Sequence, residues 1–229
     1  MMDKLCAVAI DGPAGAGKST IAKAAAARFG FIYVDTGAIY RTVGLAAQRA
    51  GIDPKDREAV IALLPSLRIR FDYDDTGVQR MYLGDEDVSG RIRTPEISMY
   101  ASAVSAIPDV RAFLMDMQRD MAKKQSVVMD GRDIGTVVLP EAGLKIFLTA
   151  SAEARAARRL AELEAKGDSS TYEEVLADML VRDKNDSSRA AAPLKAAEDA
   201  VLVDTTELSL PESIEYVCGL VAERFGLGA

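Results

Sequence analysis

The sequence predicts an α/β fold built around a parallel sheet of five strands. Five short apolar runs, rich in β-branched and aromatic residues, alternate with helix-like stretches along the chain. The runs are mostly continuous rather than alternating in polarity, which is typical of parallel strands covered by helices on both faces. Strands that alternate with helices therefore indicate one sheet flanked by helices. The runs are LCAVAI (5–10), FIYVD (31–35), SVVMD (126–130), LKIFLTA (144–150) and AVLVDT (200–205).

The helix-like stretches between these runs carry start and stop signals. The stretch 19–29 stops at Gly30, a residue type that favours helix C-termini. The stretch 151–166 begins at a candidate N-cap, Ser151. Two further segments have the spacing of a capping box, in which a hydroxyl and a carboxylate three residues later satisfy backbone N–H groups. These segments are TYEE (171–174) and SLPE (209–212).

One region between the second and third strands departs from this pattern. LRIRFDY (67–73) alternates apolar and polar residues, DDTG (74–77) has turn composition, and 78–90 resumes a strand-like pattern. This predicts a small inserted antiparallel element. The polar segment 166–171 is a second interruption. Both segments are open to two interpretations, surface decoration or movable flaps over one cleft.

Composition and charge exclude several function classes. The 229 residues are 49% hydrophobic and 28% charged, which is ordinary for a globular domain. No signal peptide and no apolar run of roughly 20 residues is present, so we expect a cytoplasmic protein without a membrane partner. Two cysteines and no histidine argue against a zinc site and exclude a histidine base. The net charge of −7 argues against nucleic acid as a partner, and an anionic ligand needs a local cluster of cations.

The segment DGPAGAGKST (11–20) directly follows the first strand and precedes the first helix. It matches the Walker A pattern, which predicts a P-loop NTPase fold. Its glycines let successive backbone N–H groups point at phosphate oxygens, and the helix N-terminus adds positive potential. Lys18 is expected to reach the terminal phosphates, and the Ser19 hydroxyl is expected to coordinate Mg²⁺.

The motif MDGRDIG (129–135) places Arg132 between Asp130 and Asp133 where a buried strand ends. A tight turn held by a local ion pair would explain it without chemistry. P-loop proteins, however, commonly place an acidic group near the metal at the end of a later strand. By that analogy Asp130 is a candidate for the metal side of the site.

Triphosphate binding leaves three classes open: a small-molecule kinase, a GTPase switch and a motor ATPase. The nearest string to a guanine-reading motif is DKND (183–186), whose order is wrong. A motor ATPase usually needs a longer chain. A kinase needs a second anion pocket, and arginines adjoin strand ends, glycines or flap-like segments at separated positions. They are Arg41, Arg111, Arg132, Arg182 and Arg189.

Seven segments, in order along the chain to about residue 205, resemble the bacterial cytidylate kinase family. They are GPAGAGKST (12–20), DTGAIYR (35–41), GDEDVSG (84–90), IRTPEI (92–97), DGRDIGTVVLP (130–140), KIFLTAS (145–151) and RDKNDSSRAAAPL (182–194). The resemblance implies phosphorylation of CMP, and of dCMP, by ATP through direct in-line transfer with Mg²⁺. It also implies one domain with a core (about 1–60, 105–155 and 190–229), a monophosphate-binding insertion (about 61–104) and a lid (about 156–189).

The resemblance also implies site residues. Catalytic roles fall on Lys18, Asp130 and Arg182, where Arg182 is the leading candidate to engage the transferring phosphoryl group. The implied ATP contacts are Gly12, Pro13, Ala14, Gly15, Ala16, Gly17, Lys18, Ser19 and Thr20, with Arg158 and Arg159 as weaker candidates. The implied CMP contacts are Thr36, Tyr40, Arg41, Ser102, Arg111, Arg132, Asp133, Arg182, Asp186 and Arg189. Three positions depart from the family's frequent residues: Thr36 replaces Ser, and Lys184 and Ser188 stand where arginines are common.

Hydrogen-bond polarity suggests how the base is chosen. Cytosine presents an amine donor where uracil presents a carbonyl acceptor, so the carboxylate of Asp133 favours cytosine, with Arg111 and Ser102 beside it. Asp186 is a candidate acceptor for a ribose hydroxyl. The alternatives are a P-loop kinase for UMP or a non-nucleotide acceptor, and a nucleotide-dependent binding switch that transfers nothing. A monomer is expected, because hinged flaps need free surface.

Overall fold

A computed structural model describes residues 5–165 and 167–228. Met1 to Lys4, on which the expected lack of a signal peptide partly rests, lie outside the described residues. Lys166, the last residue of the helix-like stretch 151–166, lies outside them as well. The chain forms two compact units. The first contains the described residues up to Tyr33 and those from Gln125 onward, and the second is Val34–Lys124.

The strands and helices follow the chain in this order. The strands are β1 (Ala7–Asp11), β2 (Ile32–Asp35), β3 (Ile69–Tyr73), β4 (Gln79–Leu83), β5 (Glu86–Asp87), β6 (Val127–Gly131), β7 (Leu144–Thr149) and β8 (Val201–Asp204). The helices are α1 (Lys18–Phe29), α2 (Thr36–Arg49), α3 (Arg57–Leu63), α4 (Pro95–Val104), α5 (Pro108–Lys124), α6 (Ala152–Glu164), α7 (Tyr172–Ser187) and α8 (Leu210–Phe225). Short helical turns at Leu64–Ser66 and Arg91–Arg93 and a π-helix at Ile134–Val138 complete the described structure.

A five-stranded sheet has the order β2-β6-β1-β7-β8, which confirms the predicted fold class. Four of its strands lie in the first unit, and β2 runs across the boundary between Tyr33 and Val34. Strand β1 lies parallel to both β6 and β7, and β7 lies parallel to β8. The central strands are apolar up to their carboxyl ends, and their buried residues pack with residues of α1 and α8 such as Ile21 and Val217 in the same core. The carboxyl ends of β1 and β6 adjoin in this register, with Asp11 opposite Gly131 and Ile10 opposite Asp130. Ligands of open α/β folds bind at this edge of the sheet, outside the carboxyl ends of the strands.

The second unit contains a three-stranded antiparallel sheet in the order β3-β4-β5. Ile69 faces Leu83 across the first pair, and Asp74 closes the turn by accepting hydrogen bonds from the backbone of Thr76 and Val78. The predicted antiparallel element is therefore confirmed. Helix α2 crosses α4 closely at Gly44, where an added Cβ would lie 3.0 Å from the Ala101 nitrogen.

Capping explains the helix starts that the sequence predicted. Ser151 accepts a hydrogen bond from the Ala154 N–H at the start of α6. Both predicted capping boxes are present, one at Thr171 with Glu174 and one at Ser209 with Glu212. At the other end of α1, Gly30 adopts a left-handed conformation with φ 67°. Among the residues that the structure describes, no helix has the length and apolar character needed to cross a membrane.

Candidate active site

The loop from Gly12 to Gly17 joins the end of β1 to the start of α1, as the Walker A pattern predicts. Gly12 has φ 149°, and an added Cβ would lie 1.9 Å from the carbonyl oxygen of Leu148 in the neighbouring strand. Only glycine fits there, because both the backbone conformation and the close approach exclude a side chain. Steric contact with β7 therefore fixes where the loop leaves the sheet.

Lys18 is buried at the base of this loop, where its ammonium group donates a hydrogen bond of 2.7 Å to the Pro13 carbonyl. Burial lowers the pKa of Lys18 well below its usual value, and the positive charges of Arg132 and Arg182 lower it further, against the opposing effect of Asp130. Three cations thus share one small region of the first unit. Such a cluster is stabilised by a polyanionic ligand, which supplies the missing negative charge.

Asp130, at the end of β6, lies beside the hydroxyl that the sequence assigned to the metal. The Ser19 hydroxyl donates to one carboxylate oxygen at 2.8 Å, and the buried Tyr33 hydroxyl donates to the other at 2.9 Å. Mg²⁺ prefers oxygen ligands and usually takes only one or two from protein, the rest coming from phosphates and water. The pair of Ser19 and Asp130 fits this requirement.

Asp11 is a functional candidate that the sequence analysis missed. Its carboxylate accepts hydrogen bonds of 2.7 Å from the N–H groups of both Ile134 and Gly135, at the start of the π-helix. Burial raises the pKa of Asp11 to about 6, against the lowering effect of these two bonds. The nearby charge of Asp133 also raises it. Asp11 therefore fixes the backbone immediately after the DGRD segment, at the end of the strand that leads into the P-loop.

Asp186, in the last turn of α7, is buried and holds two arginines. One carboxylate oxygen accepts a 2.8 Å hydrogen bond from Arg132 Nε, and the other accepts a bond from Arg189. Burial raises the pKa of Asp186, but the charges of Arg132, Arg189 and Arg182 outweigh it, so the pKa lies below its usual value. The structure thus brings together Arg132, Asp186, Arg182 and Arg189, which the sequence placed in two separate motifs. The proposed bond from Asp186 to a ribose hydroxyl stays a prediction.

Asp133 is buried and stands directly before the π-helix. Its carbonyl oxygen accepts a hydrogen bond of 2.9 Å from Val137 N–H, so its backbone belongs to this irregular turn. π-Helical turns are rare and are often found at functional sites. The role of Asp133 in reading the base stays a prediction.

In the second unit, the DTGAIYR motif forms the start of α2. Asp35 caps this helix by accepting a 2.8 Å hydrogen bond from Ala38 N–H, and its other oxygen accepts a 2.8 Å bond from Arg41. Arg93 approaches the same carboxylate at 3.7 Å. The buried Gln79 side chain pairs with both backbone polar groups of Asp35, accepting from its N–H at 2.8 Å. The structure therefore adds Asp35, Gln79 and Arg93 to the surroundings of the predicted Arg41.

The other predicted CMP contacts of the second unit are Thr36, Tyr40, Ser102 and Arg111. Thr36 is buried as the first residue of α2. The buried Arg111 guanidinium lies 5.6 Å from the centre of the Tyr40 ring, a cation–π distance. Ser102 lies in α4, and its carbonyl accepts a hydrogen bond from the Ser105 hydroxyl. Arg111 and Tyr40 therefore share one environment, although they lie far apart in sequence.

The two weaker ATP candidates on α6 both have partners in the first unit. Arg158 donates to the carbonyl of Thr205 at 2.5 Å and to the carbonyl of Leu208 at 3.4 Å. Arg159 pairs with Glu162 one turn further along the helix, at 3.0 Å. A third arginine of this helix, Arg155, was missed by the sequence analysis and contacts the P-loop itself.

Comparison with known proteins identifies the family. The family model described as cytidylate kinase matches residues 8–223. A cytidylate kinase of Caldicellulosiruptor bescii is 52% identical over 93% of this chain and 94% of its own length. A cytidylate kinase of Exiguobacterium sp. is 48% identical over 97% of this chain and 99% of its own length. A solved structure of shikimate kinase from Bacteroides thetaiotaomicron covers 98% of this chain and 100% of its own, with 14% identity and a TM-score of 0.49. The protein belongs to the cytidylate kinase family.

Proposed function

We propose that this protein transfers the γ-phosphoryl group of ATP to the phosphate of CMP, and of dCMP, in one direct in-line step. The observation that carries this is the cationic group beside the P-loop lysine. The positive charges of Arg132 and Arg182 lower the pKa of Lys18. In the same unit, the Asp186 carboxylate accepts hydrogen bonds from Arg132 and Arg189. One triphosphate does not need so many cations in one place, whereas two substrates that exchange a phosphoryl group do.

The residues present suit this chemistry without a histidine. The acceptor is a phosphate oxygen that is already anionic at neutral pH, so no strong general base is required. Catalysis then depends on holding the two phosphates in line and on neutralising the charge that spreads over the transferring group. Lys18 and Arg182 are proposed to supply that charge, and Arg132 and Arg189 to orient the acceptor phosphate.

Ser19 and Asp130 are the residues proposed to hold Mg²⁺ with the nucleotide phosphates. The ion would neutralise phosphate charge and orient the phosphate chain. Tyr33 orients the Asp130 carboxylate through its hydrogen bond. No group of three or more His, Cys, Asp or Glu residues suited to a metal is found within residues 5–165 and 167–228. The proposed site therefore relies on the phosphates for its remaining ligands.

We also propose that the chain is divided into a core, an insertion and a lid with the predicted bounds. The protein is further proposed to be cytoplasmic and monomeric. The resemblance to the cytidylate kinase family supports this division. It also supports the ATP contacts predicted for Gly12 to Thr20, Arg158 and Arg159, and the predicted CMP contacts in both units. We propose that the region 156–189, which contains most of α6 and α7, closes over bound nucleotides. Closure would exclude water, which is a competing acceptor.

Acceptor preference tests the proposed function directly. ADP formation should be measured with CMP, dCMP, UMP and shikimate as acceptors, each with saturating ATP and Mg²⁺. We expect rapid turnover with CMP and dCMP, slower turnover with UMP and none with shikimate. ATP binding without transfer to any acceptor would favour the nucleotide-dependent binding switch instead.

Asp133→Ala should reduce the preference for CMP over UMP. Loss of the carboxylate removes an acceptor for the cytosine amine and also removes its repulsion of the uracil carbonyl. A good base contact discriminates by about 1–3 kcal/mol, so we expect the ratio of kcat/KM values to fall by about 5- to 150-fold. Steady-state kinetics with both acceptors measure this ratio. Asp75→Ala, which removes an exposed aspartate of the second unit, is the control, and equal losses for both acceptors would assign Asp133 a structural role.

Asp130→Asn should raise the Mg²⁺ concentration that gives half-maximal activity. An amide keeps the shape of the side chain but loses the negative charge, and substitutions around a metal typically cost about 10- to 100-fold in affinity or activity. Tyr33→Phe removes one hydrogen bond and leaves the carboxylate, so a smaller shift is expected. A titration of activity against Mg²⁺ measures both. An unchanged midpoint for Asp130→Asn would remove Asp130 from the metal site.

A further inference from the structure

The guanidinium of Arg155 joins three segments of the first unit. Arg155 is almost fully buried in the first turn of α6. Its Nε donates to the Ala150 carbonyl at 2.9 Å, just after β7. Its Nη1 donates to the carbonyl of Ala14 in the P-loop at 3.0 Å. Its two terminal nitrogens also face both carboxylate oxygens of Asp183 in α7, at 3.2 and 2.6 Å. One side chain thus connects the sheet, the P-loop and α7.

The bond to Ala14 determines which way one peptide of the P-loop faces. In a trans peptide the C=O of one residue and the N–H of the next point in opposite directions. Because the Ala14 carbonyl is directed at Arg155, the N–H of Gly15 is directed away from Arg155. A P-loop binds phosphate through N–H groups that point inward. The Gly15 N–H, directed away from Arg155, is available for this role.

Packing around Gly15 supports the same interpretation. Gly15 has φ 75°, and an added Cβ would lie 2.7 Å from Met179 Cε and 3.2 Å from Arg155 Cβ. Helices α6 and α7 therefore cover the outer side of the loop at this residue. Arg155 therefore holds the carbonyl side of the Ala14–Gly15 peptide, and two helices cover the Gly15 Cα.

We propose that Arg155 is a positioning residue that, fixed by Asp183, holds the Ala14–Gly15 peptide with its N–H directed at the ATP phosphates. The inference rests on the proposed function, since it assigns Arg155 to the ATP side of that reaction. Asp183 directly follows Arg182, so the same bonds tie the P-loop to the helix that carries Arg182 and Asp186. Arg155 has no contact with substrate in this proposal and acts through the P-loop backbone.

Lysine cannot replace arginine in this role. Its single ammonium group cannot bond Ala150, Ala14 and the Asp183 carboxylate together, as the planar fork of arginine does. Arg155→Lys keeps the positive charge and loses this geometry. We expect its affinity for ATP to fall by about tenfold or more and kcat to fall as well, since small displacements of a reacting group cost up to about 10²-fold. The KM for CMP should change less than the KM for ATP.

The experiment compares Arg155→Lys, Asp183→Asn and the double variant with wild type. Binding of a non-hydrolysable ATP analogue with Mg²⁺ is measured by calorimetry, and KM for ATP and CMP by steady-state kinetics. Asp183→Asn should lower the affinity for ATP less than Arg155→Lys does. The affinity of the double variant should equal that of Arg155→Lys within about twofold. Arg49→Lys is the control, because Arg49 forms a comparable two-point ion pair with Glu86 on the surface of the second unit.

The outcomes separate the inference from the proposed function. If both KM values are unchanged and only the melting temperature falls, Arg155 is structural and the inference is wrong. If the losses of the two single variants multiply, Asp183 does not act through Arg155. Analogue binding needs no acceptor, so it tests Arg155 even if wild type fails to phosphorylate CMP. Should Arg155→Lys not fold, Asp183→Asn alone decides, because unchanged ATP affinity in that variant contradicts the inference.

Discussion

Lys18→Met is expected to lower kcat by about 10² to 10³-fold, the range found when a charge-stabilising donor is removed from an active site. In the proposed function, the ammonium group is the cation that the P-loop places beside the transferring phosphoryl group. Methionine has a similar length and fits the same buried position without the charge. Steady-state kinetics with CMP and ATP measure the loss.

The same substitution should not lower stability. Lys18 is buried, its pKa is lowered by burial and by neighbouring arginines, and its ammonium group is therefore unfavourable in the protein without nucleotide. A lysine whose pKa is lower in the folded state disfavours folding wherever it is charged. We expect the melting temperature of Lys18→Met to equal or exceed that of wild type. Lys55→Met, in an exposed position of the second unit, is the control and should keep full activity. A drop in activity that merely follows a drop in melting temperature would contradict the assigned role.

Local sequence signals predicted the parts of the molecule that depend on local structure. The five apolar runs became the parallel sheet, and the Walker A segment became the loop between β1 and α1. Both capping boxes formed, because a hydroxyl and a carboxylate three residues apart meet by helix geometry alone. The antiparallel insertion followed from the period-two pattern of 67–73.

The start of helix α2 was not predicted, because its first two residues are poor helix formers. The segment TGAIYR begins with a threonine and a glycine, both poor helix formers. A local cap and one distant contact stabilise this start instead. Asp35 caps the first turn, and Gln79, 44 residues away, holds the Asp35 backbone. Helix propensity summed over neighbouring residues contains no information about a contact between residues 44 positions apart.

The partnerships within the site could not be read from the sequence for the same reason. Asp186 lies 54 residues from Arg132, and Arg155 lies 141 residues from Ala14. The motif MDGRDIG suggested that Arg132 pairs with a neighbouring aspartate. In the structure its Nε donates to Asp186, while Asp130 accepts bonds from Ser19 and Tyr33. Charge order along a chain indicates candidate residues, and the fold determines which of them are partners.

Asp186→Asn is expected to have the largest effect on stability. Asp186 is the buried counter-charge for both Arg132 and Arg189, and removing one partner of a buried ion pair typically costs about 3–5 kcal/mol of unfolding free energy. Urea denaturation of both proteins at pH 7 measures this difference. Asp178→Asn, an exposed aspartate of the same helix, is the control and should change stability little. A difference below about 1 kcal/mol would mean that solvent or rearrangement compensates both arginines.

The pH dependence of this loss separates charge from shape. The pKa of Asp186 is lower in the folded state, so the carboxylate contributes its stability fully above the unfolded value of about 4. That contribution is lost as the pH falls through the lower, folded value. The gap in stability between wild type and Asp186→Asn should therefore stay constant from pH 7 to about pH 5 and narrow below about pH 4.

The kcat/KM for CMP should fall in the variant at pH 7 by up to about 10²-fold, because Arg132 and Arg189 lose the group that positions them. A stability gap that does not depend on pH would indicate that the amide fails through its shape, and the two arginines would then not depend on the charge of Asp186.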